Sequence, residues 1–298
     1  MSMNYRSIYR YIAGQLPLLY AQKDKLWIAI WLAAISALWL WNRIFLNYPA
    51  FTQIQSAFLN TFLMAFLCII FSLLLAWSTA VGLHFIPSTR APYLLLPLTF
   101  VLNLIRSVPQ ILGVLIGYIG VTVLIRADML SNRTTIIILL AFITALFVFL
   151  ELVDLIRERI DHFRKLDFVN AMLCCGIKES RIINIEILWK NSLAHVLNKL
   201  IALFGVAIFL QCSVDFIVSI GLSTEVSPVN LPPTLGSMLA KIDSKQDILA
   251  IGYSLTHPTY VANLLFQHLQ GITTAFLIVF TLLSMYRISI GFSRRHRL

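Results

Sequence analysis

The sequence predicts an all-α, polytopic membrane protein with six transmembrane helices. Three observations carry this. The chain has 298 residues, of which 59% are hydrophobic and only 12% charged. Apolar runs of about 20 residues recur along it, the length that crosses about 30 Å of hydrocarbon at 1.5 Å per residue. Lys and Arg are unevenly shared between the loops that join those runs. A soluble domain cannot bury so much apolar surface, whereas lipid solvates it.

The predicted spans are residues 26–46, 57–85, 93–125, 135–156, 193–220 and 269–290. The third is too long for one straight crossing and contains Arg106-Ser107-Val108-Pro109. Proline lacks a backbone donor and clashes with the preceding turn, so a kink or break is expected there. With six spans both termini share a side. That side collects sixteen Lys and Arg, among them Arg6, Arg10, Arg90 and Arg157, against five on the other: Arg43, Arg126, Arg133, Lys241 and Lys245. The positive-inside rule then places both termini in the cytoplasm. The start is polar and basic and shows no short apolar region with a cleavage site, so the first span is expected to be a retained anchor.

The chain reads as a single membrane domain, 1–298, with two features outside the spans. Residues 166–191 form a charge-rich, amphipathic cytoplasmic segment, expected as a short helix, a turn at Gly176 and a second helix. Residues 221–267 form an extracytoplasmic loop, with Leu231-Pro232-Pro233-Thr234 leading into a short helix. The net charge of +10 is spread over loops without interleaved aromatics, so topology explains it and nucleic acid is not an expected partner.

Chemistry-bearing patterns are sparse. Cys68, Cys174, Cys175 and Cys212 lack metal-ligand spacing, and the histidines form no i, i+4 pair. No metal, cofactor or catalytic constellation is expected. Arg106, beside the proline, reads as a pathway or gate residue together with Pro109 and Gln110, because an intramembrane charge needs a cavity or a partner. Glu151 and Asp154 are expected to be interfacial, paired one turn away with Arg157 or Arg159. Lys199 and Asp215 are expected near opposite ends of the fifth span, snorkelling to the interfaces.

Two stretches carry a family resemblance. Asn170-Ala171-Met172, Gly176 and Ile187-Leu188 resemble the EAA loop of ABC importer permeases, where the family has roughly E-A-A-x-x-x-G and then I-x-L-P. The first acid is Asn170 here, the second Ala is Met172, and Trp189 replaces the Pro. Phe216-Ile217-Val218-Ser219-Ile220-Gly221-Leu222 with Leu231-Pro232-Pro233-Thr234 and Gly236-Ser237-Met238-Leu239-Ala240 is similar to the L-S-F-L-G-L-G … P-P-T segment of dipeptide, oligopeptide and nickel permeases, the C-type subunit in particular. Residues 105–120 resemble the S-I-P segment of the same subunits. The family's G-T-D-x-x-G-R-D region is absent; Tyr48-Pro49-Ala50-Phe51 and Gln53 stand there.

The resemblance implies a type I ABC importer permease fold in the inner membrane. It implies a heterodimer with a second permease subunit, two ABC ATPase subunits and an extracytoplasmic substrate-binding protein. The chain has no G-x-x-x-x-G-K-[ST], so ATP would be hydrolysed by the partners. The solute would be a peptide or a related small solute, nickel or a metal chelate included. Phe168, Asn170, Ala171, Met172, Gly176, Ile177, Lys178, Glu179 and Arg181 would couple to the ATPase, and Leu231, Pro232, Pro233 and Thr234 would meet the binding protein. The alternative is a secondary transporter or another polytopic protein that uses no ATPase.

Overall fold

The computed structural model describes residues 22–86, 92–221, 231–241, 252–261 and 269–296. Among them there is no strand. Arg6, Arg10, Arg90 and Lys245, and most of the loop 221–267, lie outside the described residues.

Among the described residues four helices are each long and apolar enough to cross a membrane: α1 (Lys23–Phe45), α2 (Tyr48–Phe85), α9 (Leu193–Gly221) and α11 (Leu269–His296). Two bent pairs raise the number to six if each counts as one span. The first pair is α3 (Pro92–Ser107) and α4 (Gln110–Arg126), bent by 97°. The break falls at Val108-Pro109, where the sequence places it. Pro109 cannot donate to the turn before it, and it begins the next helix instead, its carbonyl accepting from the Gly113 N–H. The second pair is α5 (Arg133–Val148) and α6 (Leu150–Arg164), bent by 49°. No proline or glycine marks that bend. One turn before it, the Thr144 hydroxyl bonds back to the Leu140 carbonyl at 2.9 Å, a contact that bends helices.

At 38 residues α2 is the longest element, about 57 Å by helical rise. It starts nine residues earlier than the apolar run suggests, with Pro49 in its first turn, where a missing N–H costs nothing. Its buried side is a row of small residues, Ala57, Thr61, Ala65, Cys68, Ser72, Ala76 and Ala80, which lets α5, α6 and α9 approach closely. Helix α11 packs against α9 and α1. Polar contacts fix the register of α1 on α11: Trp31 to Thr281 at 3.2 Å, Thr273 to Asn42 at 2.9 Å, and Arg295 to Asp24 at 3.0 Å. In a lipid-facing bundle such hydrogen bonds and close small-residue packing hold helices together, because apolar contact alone does not distinguish protein from lipid.

Helix α3 stands apart. Leu96, Phe100 and Leu104, four residues apart on one side, are exposed. Among its described side chains, Leu102 and Ile105 reach the core.

Candidate functional site

Between α6 and α9 the chain builds a knob. It comprises α7 (Asp167–Cys174), a turn, and α8 (Glu179–Arg181), which continues as a π-helix (Ile182–Asn191). Gly176 has φ 78°, a region L-residues rarely adopt. Its N–H bonds the Leu173 carbonyl, and the Ile177 N–H bonds the Met172 carbonyl at 3.1 Å. This pair of bonds is a Schellman motif, which satisfies the last carbonyls of α7. The π-helix has a packing reason as well. Ile182 and Ile187 are five residues apart, as are Ile183 and Leu188, and all four are buried in one cluster. The i→i+5 register stacks each pair on the same side.

The knob is amphipathic, although its apolar anchors point differently from expectation. Phe168, Met172 and Ile177 pack against the bundle core. Half-buried there, they fasten the knob to the bundle. The outward side carries Asn170, Ala171, Leu173, Cys174, Cys175, Gly176, Lys178 and Arg181, all exposed. Glu179 turns back to the bundle. Its Oε1 lies 3.1 Å from His84 Nε2 and 3.5 Å from Arg164 Nη2. Trp77 Nε1 donates to Asn184 Oδ1 at 2.9 Å. Both Trp77 and His84 belong to α2, so that helix grips the knob directly.

A second polar cluster surrounds the break between α3 and α4. Arg106 Nη2 meets Asp154 Oδ1 at 2.7 Å. Gln110 Nε2 donates to Glu151 Oε1 at 3.0 Å, and Lys199 Nζ meets Glu151 Oε2 at 2.7 Å. Pro109 is exposed between them. This corrects the expected pairing of Glu151 and Asp154 with Arg157 and Arg159. The broken helix brings Arg106 and Gln110 to α6, and these partners, unlike those one turn away, lie across the interface. Arg159 instead stacks on the Phe163 ring, 5.0 Å from its centre, while its Nε donates to Ser192 at 3.4 Å. Lys199, half-buried, is held by Glu151.

At the far end of α2 the segment Leu231–Thr234 turns inward. Pro232 and Thr234 are buried, and Leu231 and Pro233 are half-buried. Asn60 Nδ2 donates to the Pro233 carbonyl at 2.6 Å, and the Leu235 N–H donates to Thr61 Oγ1 at 3.0 Å. Arg133 holds Asn60 from the other side at 3.2 Å. The following short helix α10 (Leu235–Lys241) lies on α9 so closely that a Cβ on Gly236 would collide with the Cys212 carbonyl. The expected outward docking surface is therefore largely spent on contacts within the chain. Two prolines and a backbone N–H satisfied by Thr61 make an inward turn cheaper than a solvated loop here. Asp215, expected at an interface, is also buried beside this segment.

Among the described residues no group of three His, Cys, Asp or Glu side chains could hold a metal ion. A groove of about 440 Å³ between α1 and α2 is lined mostly by apolar side chains, Ile35, Trp39 and Phe58 among them, with Ser36, Asn42 and Gln55 beside them. No protein-family model matches the chain, and no curated protein matches it significantly.

Proposed function

We propose that the chain is the membrane-spanning permease subunit of an ATP-driven importer, with ATP hydrolysed by separate subunits that receive the knob. The knob carries the proposal. A stand-alone bundle has no need for an ordered amphipathic projection with one side fastened to the core and the other left charged. The exposed side offers Leu173 as an apolar contact, with Lys178 and Arg181 to set register and partner choice. The Asn170–Gly176 spacing resembles the EAA loop of ABC permeases, which supports the same reading.

Helix α2 supplies a mechanical link. Asn60 and Thr61 hold the Pro233–Leu235 turn at one end, and Trp77 and His84 hold the knob at the other. The 24 residues from Asn60 to His84 span about 36 Å as one helix. A push on the knob is therefore transmitted to the opposite face by a rigid rod. In this reading the knob and both termini are cytoplasmic, the Leu231–Lys241 segment is extracytoplasmic, and Arg106, Pro109 and Gln110 border the solute route. The solute class is a peptide or a related small solute. Leu96, Phe100 and Leu104 of α3 are left for lipid or a second permease subunit.

The test is co-purification from native membranes of the wild type and of Lys178→Glu and Arg181→Glu. The wild type should bring an ATPase subunit, and each reversal should weaken that association. Retention of the same ATPase by both reversals would count against the knob as its contact.

A further inference from the structure

Helix α1 lies along α11 and stands away from α2 over the groove described above. The groove follows residues 35–42 of α1, about 10 Å by helical rise, and residues 51–58 of α2, with Leu277 of α11 also lining it. One turn deeper, Trp31 stacks on Phe62 at 5.6 Å and joins the two helices. Ser36, Trp39 and Gln55 are exposed on its walls, so it opens to the outside of the bundle. A space of about 440 Å³ drawn out over that length is narrower than a helix, which is about 10–12 Å across with its side chains. It is wide enough for an acyl chain.

A cation stands at the mouth. The Arg43 guanidinium carbon lies 5.3 Å from the centre of the Trp39 ring, and that ring is itself a wall of the groove. Arg43 is exposed. Residues 25–85 and 269–296 hold no Asp or Glu. The one acid on the three helices that line the groove is therefore Asp24, about 28 Å along α1 from Arg43 and already bound to Arg295. Trp39, Trp41 and Tyr48 are exposed around Arg43, the aromatic residues that collect at the level of lipid headgroups. On the groove wall the Gln55 amide has no hydrogen-bond partner among the described residues. An anion with an apolar tail meets all three features: the uncompensated charge, the free amide and the narrow apolar space. Guanidinium pairs with phosphate through two parallel hydrogen bonds.

We propose that this groove binds one anionic phospholipid, taken from the leaflet opposite the knob. Its phosphate sits on Arg43, an ester oxygen accepts from the Gln55 amide, and one acyl chain fills the space between Ile35 and Phe58. Apolar walls do not distinguish one lipid tail from another or from the bilayer, so the head decides the preference. A zwitterionic head brings a second cation to a site that offers no acid, and is disfavoured. The site stands independently of the importer reading.

The test uses the full chain in detergent, with whatever subunits accompany it, at constant pH and ionic strength. It is titrated with phosphatidylglycerol or with phosphatidylcholine of the same chains, and bound lipid is counted by native mass spectrometry. One phosphatidylglycerol should bind per chain, at a half-saturating concentration about tenfold below that of phosphatidylcholine. Arg43→Gln should remove the preference. Ser36→Phe, which puts a ring into the groove, should weaken both lipids. Arg126→Gln, which removes an exposed cation near the same end of the bundle, should bind as the wild type does. Phosphatidylglycerol with a photoreactive group in its acyl chain should label the groove residues of α1 and α2, and glycerol phosphate, a head without chains, should not compete. A wild type without preference overturns the proposal, and so does an Arg43→Gln protein that keeps it. Label found only elsewhere, or on a second protein chain seated in the groove, overturns it too. Competition by glycerol phosphate at equal concentration would show a site for a free anion and overturn the lipid. If Ser36→Phe does not fold, Arg43→Gln and the label decide.

Discussion

Replacing Gly176 perturbs the knob without touching its charges or its anchors. The residue has φ 78°, and a Cβ there would meet no heavy atom within 4 Å. A substitution therefore adds no clash, and its whole cost is backbone strain. For an L-residue the left-handed region costs about 1–2 kcal/mol, which shifts the local equilibrium of the turn by about 5- to 30-fold. Gly176→Ala should carry that cost. Gly176→Val should exceed it, because β-branching makes positive φ a genuine outlier. Gly176→Asn should carry the least, since Asn enters this region most readily of the non-glycine residues. Phe168, Met172 and Ile177 still fasten the knob to the core, so the thermal midpoint of the whole chain should move little. The assay is the amount of ATPase retained on purification and its solute-stimulated hydrolysis, with the midpoint measured alongside. The expected order is wild type, Asn, Ala, Val. A Val variant that assembles and hydrolyses like the wild type would refute the reasoning. An Asn variant as poor as Val would show that the strain argument is the wrong one.

Three further outcomes are expected. Lys199→Met should destabilise the bundle by about 1 kcal/mol, at the low end for a charged hydrogen bond because both partners are about a third exposed; exchanging the pair (Lys199→Glu with Glu151→Lys) should recover part of the loss in the unfolding midpoint. Gly236→Ala drives a Cβ into the Cys212 backbone and should cost about 1–3 kcal/mol, read as a lowered midpoint in detergent; an unchanged midpoint would contradict the close approach of α10 to α9. A reporter fused after Leu298 should function if it requires the cytoplasm, and activity only from an externally active reporter would reverse the proposed orientation.

The long apolar helices, four of them or six with each bent pair counted as one span, were legible because length and hydropathy are local properties, and so was the break at Val108-Pro109, because proline acts on its own turn. The glycine turn of the knob was legible for the same reason. What escaped the sequence depends on partners far along the chain. Glu151 meets Lys199 and Asp154 meets Arg106, each 48 residues away, and nothing near either acid announces that choice. The bend after Val148 has no proline or glycine, only Thr144 bonding back within its own helix. The π-helix is a response to core packing, although Ile182, Ile183, Ile187 and Leu188 repeat at a spacing of five that a search for that period would have found. The inward turn of Leu231–Thr234 rests on Asn60 and Thr61, two polar residues inside an apolar run that gave no sign of a distant partner.

The most direct test of the central claim is a cross-link from the knob. Lys178→Cys is exposed and lies beside the Gly176 turn. A short photoreactive cross-linker placed there in native membranes, followed by mass spectrometry of the product, identifies what the knob touches. The account predicts a separate chain that carries G-x-x-x-x-G-K-[ST] and hydrolyses ATP, with the cross-link lost when Gly176→Val is added. Cross-links only to lipid or to this same chain would contradict it.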